Sequence, residues 1–153
     1  MRLRRICLVV LGCVIVVPLL RALAQEGPAS RTAARIAYDL RATITENIRS
    51  TQAEDLEAMM KTIHSKSPLS QPTRQQVSQI FGKVTGLKYE LVSLKFLTVD
   101  EEYALARIRQ RTTKIPIENF RNNEIDMIMA FKREGGAWKI WNQAILEIKY
   151  LND

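Results

Sequence analysis

Tyr103-Ala104-Leu105-Ala106-Arg107-Ile108-Arg109-Gln110-Arg111 is the stretch that decides the fold. Side chains of an extended strand alternate between its faces, so the run sets Ala104, Ala106, Ile108 and Gln110, continued by Thr112, against Arg107, Arg109 and Arg111. The small and apolar set is expected to face a layer of helices. The arginines then form a row on the outer sheet face, in cross-strand ion pairs with Glu147 and other acids from neighbouring strands or a second subunit; a phosphate- or polyanion-binding stripe is the other use of such a row.

The period of two extends on both sides of this run. After Gly86 it marks strands over Tyr89 to Val99, Tyr103 to Lys114, Glu124 to Arg133 and Ala137 to Leu151. Asp100-Glu101-Glu102 and Gly135-Gly136 read as tight antiparallel hairpins, and Ile115 to Asn123 as a longer polar loop. In the third strand Met127, Met129 and Phe131 alternate with Asp126, Ile128 and Ala130. In the fourth, Trp138, Ile140, Asn142 and Ala144 alternate with Lys139, Trp141, Gln143 and Ile145. Both faces of the fourth strand are then substantially apolar, which predicts a homodimer through the outer sheet face.

Upstream of Gly86 the period is helical. Ala33, Ile36, Ala37, Leu40, Ile44 and Ile48 place one apolar stripe on a helix over Thr32 to Ser50. Thr51 with Glu54 fits a capping box, and Leu56, Met59, Met60 and Ile63 carry a second helix to about His64. Pro72 suits the first turn of a short third helix whose apolar face is Val77, Ile80 and Phe81, ending before Gly82. The expected architecture is α+β, with three N-terminal helices packed in the concave face of a curved antiparallel sheet of about four strands.

The N-terminus has the pattern of an export signal. Arg2, Arg4 and Arg5 precede an apolar run from Ile6 to Leu20, too short for a spanning helix, which closes in Ala22-Leu23-Ala24. Cleavage near Ala24 is expected, followed by a flexible leader over residues 25–31 and one domain over 32–153, in the periplasm or secreted. Val10-Leu11-Gly12-Cys13 resembles a lipobox, but the apolar run continues beyond Cys13; Arg4-Arg5 lacks the rest of a twin-arginine motif. Cleavage would remove Cys7 and Cys13, the only cysteines, leaving no disulfide, thiolate ligand or cysteine nucleophile. It would also remove Arg2, Arg4, Arg5 and Arg21, so the net charge falls from +7 to +3 and the charge argument for nucleic-acid binding loses its force. Contact with a membrane is expected only through an uncleaved signal.

Three strings carry a resemblance: Asp55-Leu56-Glu57-Ala58-Met59-Met60 leading to His64, the run Tyr103 to Arg111, and Gly136-Ala137-Trp138-Lys139-Ile140-Trp141 entering the last strand. Together with the order of elements, the chain resembles the nuclear-transport-factor-2-like superfamily, the curved-sheet cone fold that includes SnoaL-like proteins and ketosteroid isomerase. It is most similar to exported bacterial members of unassigned activity. The resemblance implies a cone cavity but brings no catalytic set. Where isomerase-like members carry a carboxylate base after the second helix, this chain reads Ser65-Lys66-Ser67-Pro68. Tyr38, the counterpart of a helix-borne tyrosine in that group, points about 160° away from Leu40 at roughly 100° per residue, away from the apolar stripe.

Two functions remain open on the sequence. A non-catalytic exported domain would bind a small apolar ligand or a protein partner through the cavity or sheet face, with Gln110, Thr112, Asp126 and Asn142 as the polar residues expected in the cavity and no cofactor or metal. A SnoaL- or isomerase-like enzyme would transfer a proton on a hydrophobic substrate, with Asp126 or His64 as the acid or base. Asp126 would need its pKa raised by an apolar cone, and His64 would need to face the cone mouth rather than interact with its helix dipole or solvent.

Overall fold

The computed structural model describes residues 28–83, 86–114 and 120–151. The proposed signal peptide, with Cys7, Cys13 and the cleavage site near Ala24, lies outside the described residues. Among the described residues three helices precede four strands: α1 (Pro28–Gln52), α2 (Leu56–Met60), α3 (Ser70–Ile80), β1 (Leu87–Val99), β2 (Tyr103–Lys114), β3 (Asn123–Glu134) and β4 (Ala137–Tyr150). The strands form one antiparallel sheet in the order β1-β2-β3-β4. The α+β cone expected from the sequence is thus the observed fold.

Helix α1 begins inside the stretch read as leader. Pro28 occupies its first position, where a missing N–H costs nothing because that donor has no intrahelical acceptor. The stripe Ile36, Leu40 and Ile44 is buried against the sheet, with Ile48 partly buried beside it. The expected capping box is not formed. Thr51 is still within α1 and its hydroxyl donates to the Asn47 carbonyl at 2.7 Å. Asp55 caps α2 instead, its carboxylate accepting the Ala58 N–H at 2.9 Å. Between the two helices Glu54 takes a left-handed backbone (φ 54°), and its carboxylate accepts the Gly82 N–H at 3.0 Å, tying this corner to the end of α3.

Helix α2 is a single turn and a half, shorter than the spacing predicts. Thr62-Ile63-His64 leaves the helix because a sheet edge offers it better backbone partners. The Ile140 N–H donates to the Thr62 carbonyl and the His64 N–H to the Ile140 carbonyl, both at 2.9 Å, in a parallel bridge alongside β4. Ser67 Oγ then donates to the Trp141 carbonyl at 2.6 Å.

The hairpins follow the sequence closely. Asp100 Oδ1 accepts the N–H groups of Glu102 and Tyr103, fixing the β1–β2 turn, and Gly135 and Gly136 both take positive φ (59° and 82°), as a two-residue turn with matching twist requires. Extra residues interrupt the two edge strands: Val92 and Leu97 in β1, Trp141 and Leu146 in β4. A bulge bends its strand and strengthens the twist, so bulges on both outer strands curl the sheet around α1. Phe131, Ile108, Ala104 and Ala106, fully buried, form the floor of the core beneath Leu40.

Candidate functional site

The concave face is not filled to its end. Beyond the core lies a cavity of about 250 Å³, walled by Asn47, Ile48 and Thr51 of α1, by α2 and α3, and by the inner face of all four strands. Its sheet wall is apolar in the middle, where β3 contributes Ile125, Met127 and Met129. Polar groups flank that strip: Tyr89 on β1 and Gln110 on β2 to one side, Gln143 on β4 to the other. The mouth lies along β4, where lining residue Ile145 is 53% exposed and Ile148 and Tyr150 continue an apolar rim. No Asp, Glu, His, Lys or Arg is among the described residues lining the cavity.

Of the four polar residues expected there, Gln110 alone lines the cavity. Thr112 is buried on the same face of β2, farther along the strand. Asn142 is on the opposite face, and the bulge is the reason. Phe131 pairs with Ile140 but Ala130 pairs with Asn142, so Trp141 is an extra residue and the alternation beyond it is reversed. Asn142 and Ala144 therefore turn outward to meet Ile128 and Ala130, while Gln143 and Ile145 turn inward. Strict alternation excluded Gln143 from the site. Tyr89 was within reach of the sequence, since Leu87, Tyr89 and Leu91 continue the inward set of β1, opposite Lys114, Thr112 and Gln110.

Asp126 is on the convex face, opposite Arg109, and is held by Arg107. Arg107 Nε and Nη2 donate to its two carboxylate oxygens at 2.8 and 2.7 Å, a bidentate pair, and Arg109 Nη2 stands 3.8 Å away. Hydrogen bonding to Arg107 holds the Asp126 carboxyl below its usual value, outweighing burial. The expectation of a carboxyl raised by an apolar cone is thus reversed in sign: the group is buried, but among guanidinium groups. Arg111 and Glu124 form the next rung, with Arg111 Nη2 donating to Glu124 Oε1 at 2.8 Å, and Glu90 3.6 Å from Arg111 Nη1. The arginine row is therefore a cross-strand ion-pair ladder. Its acids are Asp126 and Glu124, with Glu147 adjoining them.

His64 is buried, neither solvated nor at the cone mouth. Its Nδ1 accepts the Lys66 N–H at 3.1 Å, its ring meets Trp141 edge-on at 5.1 Å, and the Glu134 carboxylate lies 3.7 Å from Nδ1. Glu134 is engaged by the hydroxyl and N–H of Ser65, and this hydrogen bonding lowers its pKa. His64 packs the 62–67 segment onto the edge of β4, outside the cavity lining. Tyr38 is exposed on α1, as its helical phase predicts.

The premise for an outer-face dimer also changes. With two bulges in β4, Ile145, Ile148 and Tyr150 fall on the concave side, paired with Met127, Ile125 and Asn123. The convex face keeps an apolar patch of Ile128, Ala130 and Ala144 beside the ion pairs. Among the described residues no group of three or more His, Cys, Asp or Glu is placed to hold a metal, and no helix is long and apolar enough to cross a membrane.

No curated protein matches this sequence. Similar solved structures share the fold at low identity. An NTF2-like protein of unknown function from Pseudomonas putida KT2440 is 14% identical, with a TM-score of 0.61 over 73% of this chain and 86% of that one. The hexachlorocyclohexane dehydrochlorinase LinA-type3 of Novosphingobium barchaimii LL02 is 11% identical, with a TM-score of 0.59 over 82% and 94%. The beta subunit of the benzoate 1,2-dioxygenase of Burkholderia mallei is 13% identical, with a TM-score of 0.59 over 71% and 87%. One fold thus serves a protein without known function, an enzyme and a non-identical subunit, and the fold alone selects no activity. The family described as the C-terminal domain of the anti-sigma-I factor RsgI9 matches residues 42–151, from the middle of α1 to the end of β4. The chain has the NTF2-like cone fold and belongs to the family of the anti-sigma-I factor RsgI9 C-terminal domain.

Proposed function

We propose that this domain is a binding module that takes a small, neutral, mainly apolar ligand into the concave cavity, and that it works outside the cytoplasm after cleavage near Ala24. The observation that carries the reading is the chemistry of the cavity wall. Ten of the sixteen described residues that line it are Ile, Leu, Val or Met, and none of the sixteen is a carboxylate, imidazole, ammonium or guanidinium. A charged ligand entering it would lose hydration with no opposite charge to compensate. Ligand pockets commonly run about 300–1,000 Å³, so a cavity of about 250 Å³ suits a compact molecule. The family name belongs to a domain of a regulatory factor, which accords with binding.

The positions of Asp126 and His64 favour binding over proton transfer. Asp126 is ion-paired on the other face of the sheet and His64 lies behind the β4 edge. Tyr89 is the one titratable group among the described residues of the lining, and burial pushes its phenol up from its usual value, which keeps it a protonated donor at neutral pH. A homodimer through the outer face, the other expected partnership, would rest on Ile128, Ala130 and Ala144.

The test is titration with cycloheptanone and with cyclohexanecarboxylate, followed by the methyl resonances of Met59, Met127 and Met129. The neutral ring should shift them saturably and the carboxylate should not. Preference for the carboxylate, or no response to either, would overturn the reading. Intact-mass measurement of protein recovered from its host should find the N-terminus near Gln25 if export and cleavage occur.

A further inference from the structure

The polar side chains of the cavity divide by whether the protein already satisfies them. Asn47 donates to Thr62 Oγ1 at 2.7 Å, tying α1 to the segment after α2, and Thr51 donates to the Asn47 carbonyl at 2.7 Å within α1, so both donors are already engaged. The carboxamides of Gln110 and Gln143 and the hydroxyls of Tyr89 and Thr73 have no hydrogen-bond partner among the described residues, Thr73 being on the helical wall, in α3. Gln143 stands exposed at the mouth, where water serves it. Gln110 is half-buried, between Leu91 on one side and Ile125 on the other. Tyr89 lies diagonal to it on β1, since Tyr89 is opposite Thr112 and Gln110 opposite Leu91.

An apolar ligand that fills the cavity displaces water from Gln110, and a carboxamide then has two demands on one edge: an acceptor for its N–H and a donor for its C=O. Leaving either unmade costs affinity. A hydrocarbon meets neither, a ketone or ester meets only the first, and a carboxylate would set its oxygens against the carbonyl with no cation nearby. A cis amide presents N–H and C=O side by side and meets both, as Gln does when it pairs with the two-atom edge of a base. We propose that the natural ligand carries such an edge, a lactam or an equivalent cyclic amide, which pairs with the Gln110 carboxamide while its carbons lie against Met127, Met129 and Ile145. The Tyr89 phenol, diagonal to Gln110, is a second donor for the same carbonyl. This assignment rests on the ligand-binding reading above.

Four seven-membered rings of similar size test it against the intact protein: ε-caprolactam, N-methylcaprolactam, ε-caprolactone and cycloheptanone, followed by the methionine methyls and the Gln110 side-chain amide. Caprolactam should bind roughly tenfold more tightly than the other three, since each leaves one partner of the carboxamide unmade, and it should move the Gln110 amide most. In Gln110→Leu, or in Gln110→Met if the first variant does not fold, the lactam preference should vanish and the four rings should bind alike. Equal affinities for the four rings in the parent protein, or a preference that survives both substitutions, would overturn the amide assignment while leaving the cavity a site for neutral ligands. If no ring perturbs the methionines, the assignment and the ligand-binding reading fall together.

Discussion

The two faces of the sheet are made by alternate residues of the same strands, yet they obey opposite physics. On the concave face Ile108, Met127, Met129 and Phe131 exclude water and gain stability from burial and packing. On the convex face Arg107, Asp126, Arg111 and Glu124 pair charge with charge across β2 and β3. The difference teaches where chemistry and binding can reside in this fold. On the convex face Asp126 and Glu124 are already paired with arginines, and the described lining of the concave cavity holds no carboxylate, so a carboxylate that looks catalytic in the sequence is a structural rung, and the polar groups of the cavity are neutral amides, hydroxyls and a phenol.

The strongest way to break the comparison is at the concave core. Phe131→Ala removes a fully buried ring and should cost about 3–5 kcal/mol in chemical denaturation. Next in size is Arg107→Ala, which strands the buried Asp126 carboxylate with only the longer Arg109 contact. Its destabilisation should be clear at neutral pH, smaller than that of Phe131→Ala, and largely relieved by adding Asp126→Asn. If the double variant is no better than the single, the ladder is not where that carboxylate draws its support.

Acid should separate the faces as well. The pKa values of Asp126 and Glu124 are lowered in the folded protein, through hydrogen bonds to Arg107 and Arg111 respectively. The unfolded chain therefore binds their protons first as pH falls. The stability they contribute is complete above their usual values of 3.8 and 4.5 and is lost progressively below. A denaturation series should be flat in this contribution near neutrality and slope downward under acid, with a shallower slope in Asp126→Asn. The smallest effect belongs to Arg109→Ala. Its guanidinium is half exposed and stands 3.8 to 4.0 Å from the acids, so stability should change by no more than about 0.5 kcal/mol. A larger loss would mean that the ladder acts as one cooperative network.

Much of this architecture is legible in the sequence because it repeats locally. The stripe of α1 from Ile36 to Ile44, the alternation of β2 and the turn at Gly135-Gly136 each follow from residues within one or two turns of chain. The arginine row and its outward direction are equally plain. The errors cluster where a long-range partner competes with local preference. Thr62 to His64 abandons a helix for the edge of β4, and Asp55 takes the capping role that Thr51 and Glu54 suggested. The candidate site was legible only in part: Gln110 belongs to an uninterrupted stretch of β2, whereas Asn142 and Gln143 exchange faces because of one extra residue, Trp141, in their own strand β4.

By itself the sequence determined that β2 has an apolar face and a cationic one, because a period of two is a property of any extended chain. Which acid meets which arginine, and which amide looks into the cavity, were decided by tertiary structure. Those outcomes depend on register, and register depends on where Val92, Leu97, Trp141 and Leu146 are squeezed out of the ladder so that the sheet can curve over α1.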